Sequence, residues 1–111
     1  MAISITDYKH SSLVKMDGRI DSNTGDSLMD AFNEVQERGI YKIVFDMSDV
    51  DFMSSKGWWV LIQTQKACRR YNRGEVVLAA VPQKILDSLD LVGMNHYFQI
   101  FDDVVSAVGN F

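Results

Sequence analysis

The chain has one cysteine and one proline in 111 residues. A lone Cys68 cannot close an internal disulfide, and its place on the expected inner side of a helix makes it a packing residue rather than a reactive thiol. The lone Pro82 fits the first position of a helix, and no Pro-, Gly- or Ser-rich stretch marks a linker. No apolar run approaches the roughly 20 residues needed to cross a bilayer, and the N-terminus lacks a secretory signal pattern. A cytoplasmic protein without membrane insertion is expected. Basic blocks are missing too: net charge is -4, and nothing in the chain order offers a footing for a phosphate backbone, so nucleic acid is not expected as a ligand. His10 and His96 have no cysteine paired with either, which leaves metal-ligand spacing absent. There is no Gly-x-Ser-x-Gly elbow, Walker A loop or dinucleotide glycine fingerprint. Asp21, Asp46, Asp49 and Asp51 are numerous enough to suggest a metal or acid-base site, but caps and turns account for them more cheaply. No nucleophile, base and oxyanion donors assemble, so neither an enzyme nor a bound cofactor is expected.

What is present is ordinary globular material. Hydrophobic residues make up 47% and charged residues 23%, which argues against disorder and for one domain over residues 1–111 with a core of its own. Ile3 to Tyr8 alternates as an edge strand does, Lys9-His10-Ser11 is a turn, and Ser12 to Met16 completes a hairpin. Arg19-Ile20-Asp21-Ser22-Asn23-Thr24 is rich in helix caps. Leu28, Ala31, Phe32 and Val35 follow at helical spacing, and Gly39 supplies a stop. Ile40 to Met47 and Glu75 to Val81 are nearly continuous apolar runs, as in strands covered on both faces. Between them a helix runs from about Ser55 to Tyr71. Ile85, Leu86 and Leu89 give a short helix, His96 to Phe101 a last short strand, and Asp102 or Asp103 caps a terminal helix. The order β-β-α-β-α-β-α-(β)-α predicts a single α/β domain with a mixed, mostly parallel sheet.

The chain is organised around Phe52-Met53-Ser54-Ser55-Lys56-Gly57-Trp58-Trp59-Val60-Leu61, where a loop after a strand hands over to a helix. A serine there can cap the helix, or accept a phosphoryl group that unpaired amides and the positive helix end favour. At about 100° per residue, Val60, Thr64, Ala67, Cys68 and Tyr71 share the inner side, with Gly57 and Leu61 at its edge. Ser55, Trp58, Trp59, Ile62, Lys66 and Arg69 fall on the other. Aromatics beside a hydroxyl on an outward face suggest a docking surface. The alternative is that Ser55 is only a cap and a second layer covers the tryptophans.

Gly18-Arg19-Ile20-Asp21, then Ile43-Val44-Phe45-Asp46-Met47-Ser48-Asp49-Val50, then Phe52-Met53-Ser54-Ser55-Lys56-Gly57, together resemble the STAS domain, most of all its stand-alone bacterial anti-sigma factor antagonists. The resemblance spans about residues 3 to 108 and includes Leu91-Val92-Gly93-Met94 and Phe98-Gln99-Ile100-Phe101. In that family the serine two places before the glycine takes a phosphate, which implies Ser55 here. The resemblance further implies a partner that is an anti-sigma factor and serine-protein kinase, and a PP2C-type phosphatase that reverses the modification. It also makes Asp21 and Asp46 neighbours of the phosphorylation loop. Ser54 stands where an aspartate is common, Lys56 is an unusual successor to the serine, and Trp58-Trp59 replaces an aliphatic followed by Gly or Arg.

The leading expectation is a phosphorylation-switched interaction domain. It would bind its kinase or anti-sigma partner through Asp21, Ser54, Lys56, Trp58, Trp59, Ile62 and Lys66 while Ser55 is unphosphorylated. The alternative is a constitutive STAS subunit of a transport or signalling complex with Ser55 never modified. A nucleotide-binding domain is a third class, and no phosphate loop supports it.

Overall fold

The computed structural model describes residues 2–91, 93, 94 and 96–111; Val92, in one late piece of the family resemblance, lies outside them. The chain opens with β1 (Ile3–Asp7) and β2 (Ser12–Met16), an antiparallel hairpin with Ile5 opposite Val14. Then follow β3 (Gly18–Ile20), α1 (Ser22–Glu37), β4 (Lys42–Asp46), β5 (Val50–Met53) and α2 (Ser55–Arg69). The chain finishes with β6 (Glu75–Ala79), α3 (Gln83–Leu91), β7 (Ile100–Phe101) and α4 (Val104–Gly109). The main sheet has the order β1-β2-β4-β6-β7, and beyond the hairpin every pairing in it is parallel. The expected mixed, mostly parallel α/β architecture is what forms, with β1 at the edge.

Period-two alternation assigns the sheet's two faces. Val14, Met16, Ile43, Phe45, Val76 and Leu78 enter the larger core with α1, α2 and α3. There Phe32 of α1 meets Phe45 edge-on at 5.5 Å between centroids. Val44, Val77 and Ala79 point the other way, against Ala107 of α4. Cover on both faces explains why β4 and β6 read as unbroken apolar runs.

The sequence reading did not contain β3 and β5. They form a separate two-stranded parallel ladder with Arg19 opposite Phe52 and Ile20 opposite Met53. Segments of three and four residues that end in capping groups read locally as loop. Their pairing is a long-range event that local pattern does not report.

The helix-face assignment needs correction at α2. Its buried side consists of Trp58, Val60, Leu61, Thr64, Gln65 and Cys68, with Gly57. Trp58, read as outward, is only 8% exposed and belongs to the core. Tyr71, read as inward, is 84% exposed, because the α-helix stops at Arg69 and Tyr71 takes a left-handed φ of 59°. Arg73 holds that ending, donating from Nη2 to the Ala67 carbonyl at 2.9 Å and from Nε to the Arg70 carbonyl at 3.1 Å.

The rotation of the buried stripe follows from Gln65, a polar residue with no exposure at all. Its Oε1 accepts from the Val76 N–H at 2.6 Å, and its Nε2 donates to the carbonyls of Val76 (3.0 Å) and Tyr97 (3.2 Å). Ladder bonds between β6 and the chain around β7 begin only at Leu78, whose N–H donates to Gln99. The Gln65 amide therefore takes the place of a strand one step earlier, satisfying both backbone groups of Val76.

Candidate functional site

The β3–β5 ladder determines where the two long helices begin. Ile20 and Met53 are paired, and the next residue in each strand is a helix cap: Asp21 for α1 and Ser54 for α2. The Ser54 N–H donates to the Ile20 carbonyl at 2.9 Å, which ties the two helix starts together. The amino-terminal ends of α1 and α2, each with the positive end of its dipole, thus lie side by side.

Both caps use side-chain oxygens, with different strength. Asp21 accepts from the N–H groups of Asn23 and Thr24 at 3.0 Å each, and its own N–H donates to Thr24 Oγ1 at 2.9 Å, a closed capping box. The Thr24 amide, then that of Asn23, holds the Asp21 carboxyl below its ordinary 3.8. Ser54 Oγ accepts only a long bond from the Gly57 N–H, at 3.4 Å. Ser54, not Ser55, is therefore the cap of α2, and the Ser55 side chain is the exposed first residue of the helix. Among the described residues no carbonyl or side chain accepts from the Ser55 or Lys56 N–H. These are two of the amides that every helix start leaves over.

Two glycines permit the closeness of these pieces. A Cβ on Gly57 would lie 2.6 Å from Met53 Sδ and 2.9 Å from Ile20 Cγ2, so the first turn of α2 sits directly against the small ladder. A Cβ on Gly25 of α1 would lie 2.7 Å from Cγ of Lys56, whose stem crosses that bare stretch of backbone. The Lys56 ammonium then reaches Asp26 of α1 at 2.9 Å and stands 4.6 Å from the Trp59 ring centroid.

Ser55, Trp58, Trp59, Ile62 and Met94 line a shallow apolar groove of about 320 Å³. Trp59 is 47% exposed there, while Trp58 supplies the floor. Lys66 is exposed further along α2 and does not line the groove. Asp21 is half-buried and occupied by its cap. Asp46 accepts from the Ser48 N–H at 3.0 Å and lies 3.8 Å from Lys15, which is itself 3.1 Å from Asp49. Among the described residues no group of three or more His, Cys, Asp or Glu gathers as metal ligands would. Burial pushes the Cys68 thiol up to about 12, which keeps it protonated and unreactive. Met94 is the groove residue that the sequence reading missed; it comes from a separate segment, and no local pattern connects it to Ser55.

Comparison with known proteins follows the same outline. The family model for the STAS domain matches residues 2–107. This chain belongs to the STAS domain family. Within that family it is 25% identical over 109 residues to the anti-sigma-F factor antagonist RsfB of Mycobacterium tuberculosis, covering 97% of this chain and 87% of the relative. Among solved structures, an anti-sigma factor antagonist from Mycobacterium paratuberculosis superposes with a TM-score of 0.81 at 23% identity, covering 98% of this chain and 92% of the other. The Bacillus cell fate determinant SpoIIAA in its phosphorylated form superposes with a TM-score of 0.77 at 11% identity, covering 98% of each chain. At those identities the two superpositions establish a shared fold. No helix among the described residues is long and apolar enough to cross a membrane.

Proposed function

We propose that this STAS domain is a phosphorylation-switched interaction module of the anti-sigma factor antagonist type, acting in the cytoplasm. In its unphosphorylated form it binds an anti-sigma factor that is also a serine kinase. That kinase modifies Ser55, and a PP2C-type phosphatase restores the hydroxyl. The observation that carries the reading is an exposed serine in the first turn of α2, not consumed as the cap, at the rim of an apolar groove with a half-exposed tryptophan. Its relatives include anti-sigma factor antagonists, one of them solved in a phosphorylated form.

The physics of the switch is local. A phosphoryl group adds about -1.5 to -2 charges to a chain whose net charge is already -4. The free domain tolerates it, since unpaired amides and the dipole of α2 favour an anion at that point. A partner seated on Trp59 and Ile62 would have to strip water from the phosphate. A penalty of about 3 kcal/mol lowers affinity by roughly a hundredfold.

The deciding experiment incubates the domain with its cognate kinase and ATP, comparing wild type with Ser55→Ala. Labelling should vanish in the variant; labelling that persists refutes the assignment of Ser55. In a pull-down, Ser55→Asp should weaken the partner while circular dichroism stays native. Equal affinity for both forms would leave a constitutive binding subunit as the better description.

A further inference from the structure

The far end of the molecule from Ser55 gathers cations of its own. Helix α2 runs between the two, with Ser55 at its start and Arg69 at its finish, separated by about 21 Å at 1.5 Å per residue. At the Arg69 end, Lys42 opens β4, the β1–β2 turn contributes Lys9 and His10, and Arg70 and Arg73 follow the helix. Two open troughs of about 430 Å³ and 210 Å³ meet at this end. The larger is lined by Lys42, Arg69, Asn72, Gly74, Glu75 and Phe111, and the smaller by Lys9, His10, Tyr41 and Arg73 among others, with Lys42 common to both.

Several cations at this end lack a carboxylate partner, as Arg19 near Ser55 and Lys66 and Lys84 elsewhere also do among the described residues. Near the Ser55 end, Lys15 is neutralised by Asp46 and Asp49, and Lys56 by Asp26. At the far end, among the described residues, Lys9, Lys42, Arg70 and Arg73 have no carboxylate within ion-pair distance, whereas Arg69 has Glu75 at 3.6 Å and Arg38 has Asp7 at 2.8 Å and Glu34 at 3.4 Å. Arg73 lies instead 3.8 Å from the Tyr41 ring centroid. Beside it Tyr71 is almost wholly exposed, and both Tyr71 (φ 59°) and Asn72 (φ 57°) take left-handed backbone that non-glycine residues rarely adopt. Unpaired cations, an outstanding aromatic and locally strained backbone together describe a binding surface.

We propose that this basic end is a second docking surface, which takes an acidic, extended peptide segment of a partner protein. The cations are spread along two shallow troughs rather than focused on one point, which suits a run of carboxylates better than a single phosphate. A nucleic acid would extend past this end onto the acidic flanks of a chain of net charge -4, where repulsion opposes it. The surface does not include Ser55, so a segment bound here stays in place whether or not the switch is set. The inference stands or falls separately from the assignment of Ser55.

The test is fluorescence anisotropy with a labelled Asp/Glu peptide of roughly eight residues, which at about 3.3 Å per residue spans the width of this end. Wild type should bind it in a salt-dependent manner, and Ser55→Asp should bind it equally well. Lys42→Glu and Arg70→Glu, both exposed and outside the core, should each weaken it tenfold or more while keeping a native melting curve. The proposal is overturned if the acidic peptide does not bind. It is also overturned if an Asn/Gln counterpart binds equally, if neither charge reversal matters, or if a single-stranded oligonucleotide of equal charge binds more tightly.

Discussion

Replacing Gln65 with leucine isolates one side-chain amide that stands in for a strand. The change keeps a side chain of similar size, yet removes both the acceptor for the Val76 N–H and the donor to the Val76 carbonyl. The Tyr97 carbonyl retains a donor in Arg69 Nη2 at 3.1 Å, so two backbone groups lose their partners. A buried group left unpaired costs about 1–3 kcal/mol, and burying leucine in place of an amide returns about 1–2 kcal/mol. With both groups taken at mid-range, the net loss is about 2–3 kcal/mol, or roughly 8–12 °C in the melting temperature of a domain this size. Thermal denaturation by circular dichroism measures it, and hydrogen exchange at the Val76 amide localises it. A melting temperature within about 2 °C of wild type, with the Val76 amide still protected, would refute the stand-in role.

Gln65→Glu supplies a second signature. A protonated carboxyl can both donate to the Val76 carbonyl and accept from its N–H, whereas a carboxylate can only accept. Burial raises the folded pKa above the unfolded value of about 4.3. Relative to wild type, this variant should be most stable below that pH. It should lose stability as pH rises through the folded pKa.

Three further outcomes follow from the site's packing. Gly57→Ala should destabilise by about 1–3 kcal/mol although alanine is the better helix former, because its Cβ would press on Met53 and Ile20; a gain in denaturant midpoint would contradict that geometry. Trp58→Ala should cost about 3–5 kcal/mol of stability and Trp59→Ala under about 1 kcal/mol, with the partner lost from the latter in a pull-down; the reverse order would mean that the exposures of 8% and 47% are misassigned. The depressed carboxyl of Asp21 contributes stability above its unfolded pKa that disappears as pH falls from about 3.8 through the lower folded value. Asp21→Asn, which keeps a capping oxygen, should flatten the acid limb of the stability curve, and an unchanged limb would remove Asp21 from that account.

The sequence carries the element order because its strong signals are local ones. The Leu28-Ala31-Phe32-Val35 stripe, the unbroken runs of β4 and β6 and the Gly39 stop each reflect a single element and its cover, and all appear as expected. Misreadings arise where a residue answers to a distant partner. The face count at α2 leaves Gln65 out, and the stripe that includes it, held by Val76 and Tyr97, brings Trp58 to the inner side. β3 and β5 are too short to announce themselves, and each is defined by the other. The basic end has the same origin: Lys9, Lys42 and Arg73 are scattered along the chain, and a search for basic runs passes over them.

Ser54 takes the capping role at the start of α2, which leaves the Ser55 hydroxyl uncommitted. α1 begins at an aspartate, whose full negative charge already answers that helix's dipole. α2 begins at a neutral serine making one long bond, and no acidic residue occupies its first turn. Of two helix starts held side by side by the β3–β5 ladder, one is electrostatically complete and the other is not. Lys56, the cation next in the chain, is drawn across Gly25 to Asp26 on the α1 side. A negative charge arriving at the exposed Ser55 oxygen therefore meets free amides and a dipole without an anion. The α2 start is the better suited of the pair to accept it without disturbing the core behind.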